Sequence, residues 1–476
     1  RGTRSAPRTE NKGTGWFGMQ RSARSTTTHA VFPGRSAALT PLQLRAISSS
    51  PNENRTRPRA GLRAASSGEP GLRPPSEALQ LSAHVVDSIE EISRTEWNAC
   101  ARGTEELNPF VQWDFLHCLE ASKSVIPSKG WMPQHLVLRD AAQADSVVAC
   151  CPLYLKGHSY GEYVFDHSWA DAHQRLGLGR YYPKLQSCVP FTPVPGPRLL
   201  VKPGPYKENI TRALMQTLYQ VAEGMNVSSL HLTFCTQEES MCMAGRAGGQ
   251  YLHRTGIQYH FQNKGYSTFE AYLADLRQSK RKAVRQERKR AREGGIHVSR
   301  LTGADLRPSH WDAFYEFYLD TSSRKWGTPY LTRDFFHRLG EAMPDQVVLV
   351  MAQQGGRYIA GALNMQGSHT LYGRNWGALG GGDAHKFLHF ELCYYQAIEH
   401  AIAAGLDRVE AGAQGEHKIQ RGYTPSLTHS CHYICNPDFR SIVENFLHRE
   451  RAGVEFTMRE LAMASPFREV PGLPHV

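Results

Sequence analysis

The C-terminal part of the sequence places two glutamates where acid–base chemistry could occur. Glu391 shares the apolar stripe of a predicted helix with Tyr394 and Ile398, because these positions recur at helical spacing. A carboxylate buried on that stripe must be paired or hydrogen-bonded, since burial of an isolated charge is costly. One interpretation is a general base that takes a proton from an amine. The other is a structural ion pair with Arg374 or a nearby histidine.

A charged loop follows the strand predicted at Arg408–Glu410 and supplies the second glutamate. Glu410 is the other candidate base, and Lys418 could hold a carboxylate or phosphate or stabilise a developing oxyanion. His417 and Arg421 lie in the same loop and are predicted to bind substrate. The alternative is a solvated loop whose charges pair with one another.

A glycine-rich segment leads into the helix predicted at 387–404. Such a loop at a helix N-terminus can bind an anion, because unpaired backbone N–H groups and the helix dipole both favour negative charge. Lys386 adds positive charge there, and Arg374 and His389 complete this set of predicted substrate-binding residues. The alternative is a mobile hairpin turn.

One long helix is predicted from Thr268 to Glu293, and it is strongly basic. Between Arg277 and Arg292 it carries nine Lys or Arg residues against one Glu. A patch of this density attracts polyanions such as a tRNA acceptor arm, with Arg281 and Arg285 as predicted contacts. No aromatic residue interleaves with these charges to support base stacking. The alternative is a solvated basic face.

Three further positions complete the predicted substrate-binding set. Tyr318 and Arg324 share one helical stripe that could line an acceptor cleft, although core packing explains Tyr318 equally well. Lys184 belongs to a polar and aromatic cluster with Asp166, for which ion pairing is the alternative. No metal site is predicted, because the segment His429–Cys435 has no second ligand pair at zinc spacing.

These residues belong to a chain in which predicted helices and strands interleave, which indicates an α/β or α+β fold. The pattern runs through two rounds of similar size and element order. We therefore predict two domains, at residues 79–265 and 266–476. The second round includes a strand meander at 347–352, 358–365 and 370–374.

Residues 1–78 are predicted to be a disordered organelle transit peptide. Residues 1–75 hold 13 Lys or Arg against 3 Asp or Glu, whereas the rest of the chain holds 42 against 41. The net charge of +11 therefore belongs to the leader, and by itself it does not indicate a nucleic-acid partner. A basic leader rich in Ser, Thr and Ala is typical of import into the chloroplast stroma or, alternatively, the mitochondrial matrix. No run reaches the ~18 apolar residues that a membrane span needs.

Several segments resemble FemAB-like proteins, the branch of tandem acetyltransferase-fold proteins labelled peptidoglycan biosynthesis or recognition. The resemblance rests on the basic stretch Leu276–Gly294, on Val194–Pro197, and on the stretch from Leu388 to Lys418. Lys418 and Gly422 match the spacing of a loop in these relatives. The resemblance covers roughly residues 90–465.

This resemblance implies two tandem GNAT-like (acetyltransferase-like) domains that move an acyl or aminoacyl group to an amine by direct attack. The donor would be acyl-CoA or aminoacyl-tRNA, and no cofactor is firmly implied. Arg374 and Gly377 fit the pattern by which acetyltransferases bind CoA, whereas Leu379 stands where a small residue is expected. A non-catalytic recognition module that has lost turnover is the alternative function.

Overall fold

The computed structural model describes residues 79–102, 107–245, 250–325, 328–380, 385–412 and 415–468, and the backbone of Leu42–Gln43. The rest of the predicted leader lies outside the described residues. Within the described part of the chain, no helix combines the length and apolarity needed to cross a membrane.

The described strands are interspersed with helices along the chain. In chain order the first ten are β1 (Leu42–Gln43), β2 (Leu81–Val86), β3 (Trp131–Pro133), β4 (His135–Asp140), β5 (Ser146–Cys151), β6 (Tyr154–Lys156), β7 (Lys184–Ser187), β8 (Leu200–Val201), β9 (Ser229–Cys235) and β10 (Leu252–Gln262). The remaining six are β11 (His297–Leu301), β12 (Val347–Gln354), β13 (Arg357–Gln366), β14 (Thr370–Ala378), β15 (Arg408–Glu410) and β16 (Tyr423–Ile434).

Several of the helices begin at side-chain caps that the sequence supplies. The described α-helices are α1 (Arg94–Ala101), α2 (Trp113–Ala121), α3 (His167–Arg175), α4 (Lys207–Gly224), α5 (Gln237–Ala244), α6 (Phe269–Asp275), α7 (Gln278–Ala291), α8 (Pro308–Lys325), α9 (Arg333–Ala342), α10 (Leu388–Phe390), α11 (Gln396–Ala403) and α12 (Pro437–Met463). Thr236, for example, caps α5 through a reciprocal capping box with Glu239, and Asn436 caps α12 ahead of a proline. These caps satisfy N–H groups that have no partner inside the helix.

Two sheets form the framework, and the larger one crosses between the halves. The smaller has the order β1-β2-β4-β5-β8, and the larger β11-β12-β13-β14-β15-β10-β16-β9-β7-β6-β3. β10, from the first half, lies between β15 and β16. β16, the last strand, pairs with β9 of the first half. The first half therefore inserts β10 among strands of the second half, and the second half places β16 next to a strand of the first.

Each half contains one parallel strand pair in a sheet that is otherwise antiparallel, among the strands described. These pairs are β7 with β9, and β14 with β15. The meander β12-β13-β14 is antiparallel and agrees with the predicted strands. The prediction of a mixed α/β fold is confirmed.

The halves also share one apolar core. Phe110 and Phe115 of the first half pack with Phe335 and Tyr372 of the second. Close backbone approach adds to this packing at Gly377 of β14, where a Cβ atom would lie 2.3 Å from the carbonyl oxygen of Phe317 in α8. Only glycine fits there without displacing α8.

The prediction of one long basic helix from Thr268 to Glu293 is wrong in one respect, because the structure divides this segment into α6 and α7. The chain is extended at Leu276, where it forms a bridge with Phe467 near the C-terminus. Leu276 is fully buried in that position. Tertiary contact thus overrides the helical preference of the segment.

The helix predicted at 387–404 differs from the prediction in its start and its regularity. It begins at Leu388, because Phe387 has a left-handed backbone with φ of 66°. A π-helical turn, Glu391–Tyr395, then separates α10 from α11. Such turns insert an extra residue into an α-helix and occur frequently at functional sites.

Candidate functional site

The parallel strands β14 and β15 separate at a defined point. Their pairing runs from Thr370 with Arg408 to Tyr372 with Glu410, where β15 ends while β14 continues to Ala378. In sheets with parallel strands, ligands bind outside the carboxyl ends of strands that diverge. The gap beyond Glu410 is therefore the candidate site.

The two faces of this part of the sheet carry different residues. Leu371 and Val409 point to the outer face, which α10, α11 and the π turn cover. Tyr372 points to the inner face, which packs against the first half. Glu410 is the register partner of Tyr372 and belongs to the same face. Arg374 is the extra residue of a bulge in β14, and its contacts with Phe110 and Phe191 place its side chain on the inner side as well.

Glu410 is 3% exposed and lies beside two basic groups. Its Oε1 is 3.3 Å from Nε of Arg408, and its register partner on β10 is His260. Burial, with the charges of Arg408 and Lys418, lowers the pKa of His260 to about 3, so this imidazole is neutral at physiological pH. Its Nε2 is 3.2 Å from Oε1 of Gln258. A neutral imidazole thus lies next to the candidate base.

Arg374 reaches from β14 to the first half. Its Nη2 donates to the carbonyl oxygen of Phe191 at 2.8 Å, and its guanidinium lies 5.8 Å from the ring centre of Phe110. Burial lowers the pKa of Arg374 to about 10. The structure therefore places Arg374 and Glu410 on one face, as neighbours across the gap.

Lys418 fixes the chain where it leaves β15. Its Nζ donates to the carbonyl oxygens of Ala411 and Gly412, at 2.7 and 2.9 Å. Burial lowers the pKa of Lys418 to about 8. The ammonium group is therefore next to the gap and partly engaged by backbone oxygens.

Glu391 lies on the other side of the sheet and faces α7. Its carboxylate is fully buried and accepts hydrogen bonds from Arg288 at 3.0 and 3.1 Å, from Arg292 at 2.9 Å and from Gln396 at 2.9 Å. The predicted ion-pair partner Arg374 was wrong, because it lies across the sheet. The basic helix supplies the partners instead.

Arg421 is the second link to α7. Its Nη2 is 2.9 Å from Oε1 of Glu287, its Nη1 donates to the carbonyl oxygen of His417, and its guanidinium stacks 3.5 Å from the ring centre of Phe390. The loop residue predicted to bind substrate thus anchors its loop to the basic helix.

A basic-aromatic surface remains exposed on this side. Lys282, Lys289 and Arg290 of α7 are exposed, and none of them forms an ion pair within the described part of the chain. Lys386 lies beside them, 5.4 Å from the Phe387 ring centre. Partly exposed rings from other elements complete this surface, namely Trp376, Phe387, His389, Phe390 and His417. The structure thus adds the aromatic rings that the sequence of the basic helix lacks.

Two of the predicted polyanion contacts have intramolecular partners. Arg285 pairs with Glu270 at 2.6 Å, and Arg281 donates to the carbonyl oxygens of Ala274 and Leu276. The exposed cations of the basic-aromatic surface are better placed to meet a ligand.

Tyr318 and Arg324 lie on α8, on the inner-face side of the sheet. The Tyr318 hydroxyl accepts the backbone N–H groups of Tyr330 and Leu331, and Arg324 pairs with Asp320. Tyr318 thus fixes the segment ahead of α9, whereas Arg324 pairs within α8 and donates to the carbonyl oxygen of Ala378 in β14.

Lys184 lies in the interior of the first half, away from the gap. Its Nζ is 2.8 Å from Glu162 and 2.6 Å from Asp166, and its side chain is 1% exposed. Ion pairing, the alternative interpretation of this cluster, describes these contacts. Elsewhere in the described ranges, no three His, Cys, Asp or Glu side chains converge as a metal site.

The parallel pair of the first half is filled by its own chain. Arg198 is fully buried there, and its guanidinium donates to four backbone carbonyl oxygens, those of Val194, Gly196, Pro197 and Thr233. The equivalent gap between β7 and β9 is therefore closed.

Sequence reasoning missed Gln258 and His260. Both lie on β10, a strand that the first half supplies to the site, so their proximity to Glu410 has no signal in sequence spacing. The available signal was their alternation with Tyr259 and Phe261, which marks one polar face of a buried strand.

The fold and this site define a tandem acetyltransferase-like protein, in which each half contains one parallel strand pair. The chain belongs to the FemAB-like family, whose model matches residues 88–469 and is described as peptidoglycan biosynthesis/recognition.

The fold is also similar to that of solved structures. FemX shares 10% identity, with 74% of this chain and 98% of that chain covered and a TM-score of 0.47. A DUF2156 domain of a putative lysylphosphatidylglycerol synthetase from Agrobacterium fabrum shares 9% identity, with coverage of 76% and 97% and a TM-score of 0.42. A tandem GNAT protein from the clavulanic acid biosynthesis pathway shares 12%, with coverage of 75% and 99% and a TM-score of 0.38. No curated protein gave a significant match.

Proposed function

We propose that the protein transfers an acyl or aminoacyl group from an adenosine-bearing donor to an amine. The observation that carries this proposal is the gap between β14 and β15, with the buried carboxylate of Glu410 at its edge. In this proposal the donor reaches the gap from the outer face, where the basic-aromatic surface lies, and the acceptor reaches it from the inner face.

The donor is assigned to the outer side by charge and stacking chemistry. Acyl-CoA and aminoacyl-tRNA both present an adenosine and phosphates, which suit aromatic rings flanked by Lys and Arg. Lys282, Lys289, Arg290 and Lys386 supply the positive charge. The scissile thioester or ester then extends through the gap towards Glu410.

On the inner side, Glu410 acts as the general base. It takes a proton from the acceptor ammonium, and the free amine attacks the carbonyl carbon of the donor. The new C–N bond replaces the C–S or C–O bond. The nitrogen gives its second proton to the leaving group, and Glu410 releases the first to solvent. Lys418 offers positive charge near the point where negative charge develops.

Glu410→Gln in the full-length protein tests the catalytic assignment. We expect donor binding to persist while turnover falls by a factor of about 100 or more, because general-base catalysis contributes on that scale. Donor binding is measured by thermal shift with CoA, acetyl-CoA, and charged and uncharged tRNA. Glu416→Gln, at an exposed position of the same loop, is the control. Binding of a donor without turnover in the wild type would favour the recognition module instead.

A charge reversal on α7 tests the donor side. We expect Lys282→Glu combined with Lys289→Glu to weaken tRNA binding more than tenfold. The slope of log affinity against log salt should fall by about 1.4, since each lost contact removes about 0.7 for a single strand. Lys202→Glu with Arg212→Glu, exposed positions in the first half, is the matched control. If both double variants bind tRNA with equal affinity, the assignment of the basic-aromatic surface to a polyanion is wrong.

A further inference from the structure

Arg374 is a partly buried cation that lacks an anionic partner. Within the described part of the chain, its guanidinium makes one hydrogen bond, to the Phe191 carbonyl oxygen, and no carboxylate lies within salt-bridge distance. A desolvated charge without a counter-charge costs free energy. A side chain kept in that state is suited to bind an anion that arrives with a ligand.

The surroundings of Arg374 are apolar and aromatic. Phe110 and Phe191 of the first half and Leu331, Phe335 and Leu363 of the second line a small void that also contacts Arg374 and Asn375. The Phe191 ring stacks on Tyr330 at 4.9 Å. The void measures about 10 Å³, so these side chains must part to admit a ligand. Such walls favour an apolar side chain next to the anionic group.

Glu410 provides the opposite charge at a suitable separation. Its register partner is Tyr372, and the β14 bulge two residues further on directs Arg374 towards Phe110 and Phe191, so both charged side chains lie on the inner side with an interval of β14 between them. An amino acid carries a carboxylate and an ammonium group that would occupy this interval, one against each side chain.

We infer that the acceptor is an amine that also carries a carboxylate, in the simplest case an amino acid with an apolar side chain. The Arg374 guanidinium binds the carboxylate, and Glu410 receives the ammonium group. This inference rests on the proposed function and adds the chemical class of the acceptor. In the reaction, Glu410 takes one ammonium proton and releases it to solvent, the amine forms the amide, and the donor's thiolate or alkoxide leaves with the second proton from the nitrogen.

The test compares L-leucine with L-leucinamide, which differs by the loss of the carboxylate charge. In thermal shift with the full-length protein, we expect millimolar leucine to raise the melting temperature by a few degrees and leucinamide to have no effect. Arg374→Gln should abolish the leucine shift, and Arg374→Lys should retain part of it. Arg338→Gln, an exposed arginine paired with Asp334, is the matched control and should keep the full shift.

Three outcomes would overturn the inference: equal shifts with leucine and leucinamide, no shift with leucine, or an unchanged leucine shift in Arg374→Gln. The comparison of the two ligands uses the wild type, so it holds even if Arg374→Gln does not fold. Donor binding is measured on the same protein with CoA and tRNA. A donor shift without a leucine shift would reject the acceptor class alone, whereas loss of donor binding would reject the proposed function.

Discussion

Glu391 and Glu410 are buried carboxylates on opposite sides of one sheet, and their neighbours distinguish them. Both oxygens of Glu391 accept hydrogen bonds from arginines in or directly after α7. This carboxylate therefore connects α7 to the π turn. Glu410 lies at the edge of the gap, next to the neutral imidazole of His260. The same side-chain type therefore has a structural position in one case and a position suited to proton transfer in the other.

A pair of buried histidines gives a prediction at this scale. Nδ1 of His231 is 2.7 Å from Nδ1 of His432. Burial and the charge of Lys184 lower the pKa of His231 to about 3, and burial lowers the pKa of His432 well below its usual range. Below pH 6.5 the unfolded chain then binds more protons than the folded one. The contribution of these two histidines to the free energy of unfolding is therefore complete above pH 6.5 and decreases as the pH falls below that value.

The free energy of unfolding should decrease between pH 7 and pH 5, and we expect His432→Gln to make this decrease smaller by up to about 2 kcal/mol. The measurement is urea denaturation at both pH values, and the readout is the difference between them, not the absolute stability. His297→Gln, at an exposed position, is the control. An unchanged pH dependence in His432→Gln would contradict the assignment.

At the scale of elements, α7 is attached to the helix that covers the gap. Arg288 and Arg292 bind Glu391 in the π turn, and Glu287 binds Arg421 in the loop after β15. Glu391 is the first residue of the π turn, so these ion pairs attach the turn itself to α7. The exposed cations of α7 are thereby held beside Lys386 and the aromatic rings.

Glu391→Gln tests this link. We expect a loss of about 1–3 kcal/mol in the free energy of unfolding, because two guanidinium groups lose their shared anion. Glu399→Gln removes a more exposed partner of Arg288 and should cost less than about 1 kcal/mol. Urea denaturation gives both values. A fall in turnover of 100-fold or more at nearly unchanged stability would instead support Glu391 as the base.

At the scale of the whole molecule, the halves are interleaved. β10 and β16 pair over ten registers, and each also pairs with a strand of the other half. A chain that ends at residue 265 would leave β10 without both neighbours. An unpaired strand edge of this length promotes association with other chains.

We expect residues 79–265 and 266–476 to be insoluble or aggregated when produced separately, and to form a soluble complex when co-expressed. Size-exclusion chromatography and circular dichroism measure both results. Two separately soluble halves with cooperative unfolding would instead support the predicted domains as independent folding units.

Much of the fold was predictable because its signals are local. The charge of residues 1–75, the meander β12-β13-β14 and the basic segment 277–292 follow from composition and periodicity along short stretches. Glu410, Lys418 and Arg374 could be selected as candidates because their types suit the chemistry and they flank predicted strand ends.

Only the tertiary structure decided how these residues are arranged. The parallel pairing of β14 with β15 sets Arg374 beside Glu410, and strand exchange brings His260 to them from the first half. The sheet also separates Glu391 from Arg374, which adjacent segments of sequence had suggested as partners. Pairing between distant strands depends on burial and hydrogen bonding across the whole sheet, and the spacing of residues along the sequence does not indicate which strands pair.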